Sequence, residues 1–149
     1  YVSKKFSRDV VNKLNSKFIL TYGTLFIKKN ISLDEGSIDC INEVNLINEN
    51  PILIFDCLIE SNNSKKFLKN FSINKKKLKE EFLNLKIKGN LNLNKRKINF
   101  LNIEINNSYK ASGKDLNFFK NSFEKFFLTK SLINTLDREN INKFIVEIL

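Results

Sequence analysis

The chain has 149 residues, 42% of them apolar, with 14 Phe and a net charge of +10; that suits one domain or a fragment of a larger protein, and no apolar run approaches the ~20 residues of a membrane-spanning helix. It has no His and two Cys, which removes His-dependent catalysis and zinc sites of the usual spacing, so an enzyme is not expected, nor a catalytic, cofactor or metal site. Its cations are nearly all Lys, with Arg only at Arg8, Arg96 and Arg138; base readout and bidentate phosphate capture lean on Arg, so nucleic acid is not expected as a partner.

In chain order, Phe6, Val10 and Leu14 recur at helical spacing, and a helix is predicted over 1–16. From Phe18 the period becomes two. Gly23 interrupts the alternation, which resumes in the other phase at Leu25, Ile27, Ile31 and Leu33, and a glycine at a phase shift predicts a β-bulge. The stretch LDEGS supplies turn residues, and Ile38, Cys40, Val44 and Leu46 alternate after it. These two runs fit as an antiparallel hairpin with Leu33 opposite Ile38, Ile31 opposite Cys40, Ile27 opposite Val44 and Leu25 opposite Leu46.

A third strand follows Pro51, and a turn at Asn48 and Glu49 sets Cys57 opposite Cys40, Leu53 opposite Val44 and Ile59 opposite Ile38. One face of this sheet is then almost wholly apolar: Leu25, Ile27, Ile31, Leu33, Ile38, Cys40, Val44, Leu46, Leu53, Phe55, Cys57 and Ile59. The other is mixed, with Asp39, Asn45 and Asp56 beside Ile52, Ile54 and Leu58.

A short helical insertion is predicted near 64–82. A second hairpin follows, with Leu85, Ile87, Leu91 and Leu93 outbound and a return strand whose phase flips between Phe100 and Leu101, again as a bulge. The segment 109–149 reads as helical, with Ser112 and Asp115 as a capping box and Leu116, Phe119, Phe123 and Phe126 along one face. The fold class is thus α+β, mainly antiparallel: a twisted antiparallel meander over 17–108 flanked by an N-terminal helix and C-terminal helices.

Each side chain on the apolar face gains ~1.5–3 kcal/mol on burial, so the face needs a cover. Packed helices would make it an ordinary core; acyl chains would make it a lipid groove. Cys40 and Cys57, facing each other, form a cross-strand disulfide if the chain is exported and are otherwise two buried thiols. The densest basic cluster, Lys65, Lys66, Lys69, Lys75, Lys76, Lys77 and Lys79, reads as a solvated face, with contact to anionic headgroups as the alternative.

Four stretches in sequence carry a family resemblance: YGTLFIKKNISLDEGSIDCINEVNL, NPILIFDCLIESNNSKKFLKNF, LNLKIKGNLNLNKRKINFLNIEIN and YKASGKDLNFFKNSFEKFFL. Together they cover roughly Phe18 to Leu128, and the chain resembles the C-terminal region of a long member of the AsmA-like family of bacterial envelope proteins. The resemblance implies a non-enzymatic periplasmic body built on a curved sheet with an apolar interior that guides phospholipid in outer-membrane biogenesis. It implies an inner-membrane anchor upstream of Tyr1, a segment missing here. The groove candidates are Leu25, Ile27, Ile31, Leu33, Ile38, Val44, Leu46, Leu53, Phe55 and Ile59, with phospholipid acyl chains as the expected partner. The alternative is a structural or protein-interaction module with a fully covered sheet whose edge pairs with a neighbouring strand, and a basic nucleic-acid-binding domain stands third.

Overall fold

The computed structural model describes residues 11–70 and 81–125. They form one seven-stranded antiparallel sheet whose strands lie side by side in chain order. The strands are β1 (Val11–Thr21), β2 (Thr24–Leu33), β3 (Gly36–Asn45), β4 (Ile52–Ser61), β5 (Leu83–Asn92), β6 (Lys97–Ile105) and β7 (Tyr109–Lys110). Helix α1 (Ser64–Asn70) interrupts the connection between β4 and β5, and α2 (Gly113–Phe123) follows β7. The α+β, mainly antiparallel architecture expected from the alternation is the one observed.

The N-terminal element corrects the sequence reading. Val11–Thr21 is a strand, not the end of a helix; residues 1–10 of the expected helix lie outside the described residues. Leu14 and Phe18 fit helical spacing, but with Leu20 they also fit a period of two, and pairing along β2 selects the strand. Gly23 is likewise not a bulge. Thr21 pairs with Thr24, so Tyr22 and Gly23 are the two central residues of a hairpin turn, at φ 45° and 75°. Such turns need positive φ at both positions because only then does their twist match that of the flanking strands, and glycine meets the demand without strain. The expected bulge and this hairpin share one sequence signature: a phase flip at a glycine.

The β2–β3 pairing keeps the predicted face but shifts the register by two. Leu33 pairs with Gly36, Ile31 with Ile38, Lys29 with Cys40 and Leu25 with Val44. The turn holds only Asp34 and Glu35, so Gly36 belongs to the strand. A shift of two residues preserves side-chain parity, which is why the apolar face survives the error. The β3–β4 register follows the prediction, with Cys40 opposite Cys57, Val44 opposite Leu53 and Ile38 opposite Ile59.

The β5–β6 hairpin also forms, with the register shift predicted near Phe100: Gly89 pairs with Phe100 and Lys88 with Asn102. Leu101 is the extra residue and is exposed rather than in line with Ile103 and Ile105. Leu93 lies in the turn before β6, not in β5. The segment from 109 begins as the short strand β7 rather than a helix.

The core lies on one face of the sheet at the β4–β6 side. Phe67 and Leu68 from α1 and Phe119 from α2 join Leu33, Leu83, Leu85, Ile98, Phe100 and Ile103 in a single buried cluster. Asn63 caps α1, its side-chain oxygen accepting the Lys66 N–H at 3.1 Å. Gly89 sits between Phe55 on β4 and Phe100 on β6. A side chain there would strike the Phe55 ring and the Asn99 carbonyl. Its absence lets the two rings meet edge-to-face across β5, with centroids 6.2 Å apart, and Phe100 meets Phe123 of α2 in the same way at 6.0 Å. At the end of α2, Glu124 Oε1 accepts the Ile98 N–H at 3.1 Å, which ties the helix to β6.

The predicted capping box is present: Asp115 accepts the Ser112 N–H at 2.8 Å while the Ser112 hydroxyl accepts the Asp115 N–H at 3.4 Å. The Ser112 backbone and hydroxyl, then the Tyr109 hydroxyl, hold the Asp115 carboxyl below the usual carboxylate range. A depressed carboxylate stabilises the fold above its unfolded pKa, and that contribution is lost as pH falls through the folded pKa. Acid titration should therefore loosen α2 before the sheet, and Asp115→Asn should remove this pH dependence. Amide exchange of α2 residues between neutral and acid pH checks both; protection in Asp115→Asn that falls with acid as in the unsubstituted chain would contradict the assignment.

Candidate functional site

Alternation places the even-numbered residues Leu14, Ser16, Phe18 and Leu20 of β1 over the same face as Leu25, Ile27, Ile31 and Leu33 of β2. Pairing then carries that face through Ile38, Cys40 and Val44, Leu53, Phe55, Cys57 and Ile59, and on to Leu85 and Ile87. The result is an apolar surface spanning the sheet, divided on β1 to β3 by a polar row of Ser16, Lys29 and Asn42.

The two halves of this surface differ. Under α1 and α2, Leu33 is buried, and Ile31, Ile38, Phe55 and Ile59 pack against the core cluster. Of the predicted groove residues, then, Leu33 is core and four are partly buried against it, and Val44 is only 4% exposed. Both helices are tethered on the β4–β7 side and pack into that cluster; Val44 is not part of it and pairs with Leu25 and Leu53. Leu25, Ile27 and Leu53 are half-buried. Leu46 lies beyond the end of β3, outside the groove, with its N–H donating to the Gly23 carbonyl at 2.8 Å. Toward β1 the surface opens: Leu14, Phe18 and Leu20 are 61%, 62% and 66% exposed. The sequence reading missed Leu14 because it assigned it to a helix, and Phe18 and Leu20, which it read as strand, because it took the phase flip at Gly23 for a bulge; the shared parity of 14, 18 and 20 was the signal available.

Cys40 and Cys57 are joined by a disulfide across β3 and β4, with Cα atoms 4.2 Å apart. Neither thiol is free, and the bridge staples the middle of the apolar face, between its covered and open halves.

On the opposite face Ile41, Ile52 and Ile54 are exposed among polar neighbours. Charges there pair across strands where acids are available. Lys88 meets Asp56 at 2.7 Å, and that carboxylate raises the Lys88 pKa by hydrogen bonding and charge; Lys110 meets Glu104 at 3.4 Å. Of the predicted basic cluster, Lys66 pairs with Glu35 at 2.9 Å, while Lys75, Lys76, Lys77 and Lys79 lie outside the described residues.

A cleft of about 320 Å3 opens at the ends of β3, β4 and β5, between Ser37, Glu60, Ser61 and Phe82. The Ser61 hydroxyl accepts the Asn63 N–H at 3.1 Å, and Glu60 accepts from Asn84 at 2.9 Å. Among the described residues no three His, Cys, Asp or Glu side chains converge as metal ligands, and no helix is long and apolar enough to cross a membrane. What the arrangement presents is an apolar contact surface, open on the β1 side. Comparison with protein-family models, with curated proteins and with solved structures finds no match to this chain.

Proposed function

We propose that this chain is a non-enzymatic segment of a periplasmic envelope protein that contacts phospholipid acyl chains through the open half of its apolar sheet face, contributing to lipid transport in outer-membrane biogenesis. The observation that carries this reading is the exposure of Leu14, Phe18 and Leu20 beside half-buried Leu25 and Ile27. An exposed apolar surface marks an interaction site in a folded protein, and Phe18, Leu20, Leu25 and Ile27 adjoin one another on it. It favours lipid contact over a fully covered sheet. The Cys40–Cys57 disulfide supports an oxidising compartment such as the periplasm. The resemblance to the AsmA-like family supports the lipid, the non-enzymatic role and anchorage to the inner membrane through an upstream segment.

The test is lipid capture. Purified chain should carry phospholipid visible by native mass spectrometry and take up a fluorescent phospholipid from vesicles. A chain that carries none and takes up none would refute the proposal.

A further inference from the structure

The outer edge of β1 is a second feature, separate from the apolar face. β1 is the first strand of the sheet, so among the described residues nothing pairs with its outer side. It runs for 11 residues, all of them exposed. That is roughly 37 Å of backbone at ~3.4 Å per residue, bearing alternate unpaired N–H and C=O groups. An extended polypeptide supplies donors and acceptors at that spacing; a lipid does not. Folded proteins blunt edges of this kind with prolines, short strands, bulges or charged side chains; β1 is long and has no proline, but it carries a register shift between Val11 and Lys13 and the lysines Lys13 and Lys17, which bar like-charged edges.

Charge then selects the strand that fits. Lys17 lies directly opposite Lys28, and Lys13 stands on the same face. Like charges at facing positions destabilise a sheet unless neutralised. None of Lys13, Lys17 and Lys28 has a carboxylate within ion-pair distance among the described residues. Farther across the sheet the same face solves the problem with an acid on the adjacent strand, as Asp56 does for Lys88. On the other face β1 presents Leu14, Phe18 and Leu20.

We propose that the edge of β1 is a docking site for one further β-strand that alternates apolar and acidic residues. Its apolar side chains extend the surface beside Leu14, Phe18 and Leu20, and its carboxylates, four residues apart, lie against Lys13 and Lys17. A second copy of this chain fits poorly, because pairing β1 with itself brings more lysines together on that face.

The test uses the full chain and two synthetic 11-residue peptides, alternating Val with Glu or Val with Lys, read by amide exchange and fluorescence titration. The Val/Glu peptide should protect β1 amides and bind about tenfold more tightly than the Val/Lys peptide. Lys13→Glu with Lys17→Glu should invert that preference, and Lys17→Gln, which asks less of the fold, should diminish it. Absence of β1 protection by either peptide overturns the proposal, as does equal binding of the two. Protection of β1 that rises with protein concentration alone overturns it in favour of self-association.

Discussion

Ile103→Asp is expected to leave the purified chain unfolded, whereas Phe18→Asp is expected to leave the fold intact and abolish lipid uptake. Ile103 is 0% exposed, at the centre of the cluster that β5, β6 and both helices share. A carboxylate there has no partner, and burying it costs several kcal/mol against a total stability of ~5–15 kcal/mol. Phe18 is on the same sheet face, two-thirds exposed, so a carboxylate there keeps its water. Circular dichroism with thermal melting reads the fold, and transfer of fluorescent phospholipid reads the function. Asn15→Asp, on the other face of β1, is the control and should retain uptake. Unfolding of Phe18→Asp would show that the β1 half is core after all, and full uptake by that variant would remove the lipid contact from this face.

Removal of the disulfide should give the second large effect. Cys40 and Cys57 are 17 residues apart in sequence, and closing a loop of that size stabilises by ~3 kcal/mol through the unfolded chain. The Cys40→Ala, Cys57→Ala double variant should melt about 10 °C lower, given ~2–4 °C per kcal/mol at this chain length. Reductant should lower the melting temperature of the unsubstituted chain by a similar amount and leave the double variant unchanged. A melting temperature indifferent to both treatments would mean that the sulfurs act as buried thiols, and the argument for an oxidising compartment would fall.

Particular elements show how far the sequence could be read. The β3–β4 register came out right because centring the connection on Asn48 and Glu49 matched its true six-residue length and set Cys40 opposite Cys57. The β2–β3 register did not, because alternation fixes which face a residue takes but is blind to a shift of two; the length of the Asp34–Glu35 turn decided it. The flip at Phe100 was a bulge and the flip at Gly23 a hairpin, and only the pairing partner tells these apart. Val11, Leu14 and Phe18 satisfy the helical period and Leu14, Phe18 and Leu20 the strand period, so the hydrogen-bonding offered by β2 settled the secondary structure of β1.

The amino-acid order by itself determined the body of strands β2 to β6 and most of the residues that share their apolar face, since alternation is a local property of the chain; it did not reveal β7 or the strand ends at Leu46 and Leu93. Only the tertiary structure decided which part of that face is covered. The helices sit where the chain tethers them, in the β4–β5 connection and after β7, whereas β1 and β2 are joined by a two-residue turn with no segment to spare for a lid. Burial is a property of what packs on a residue, so Leu33 and Phe18, alike in sequence pattern, end in the core and in the open.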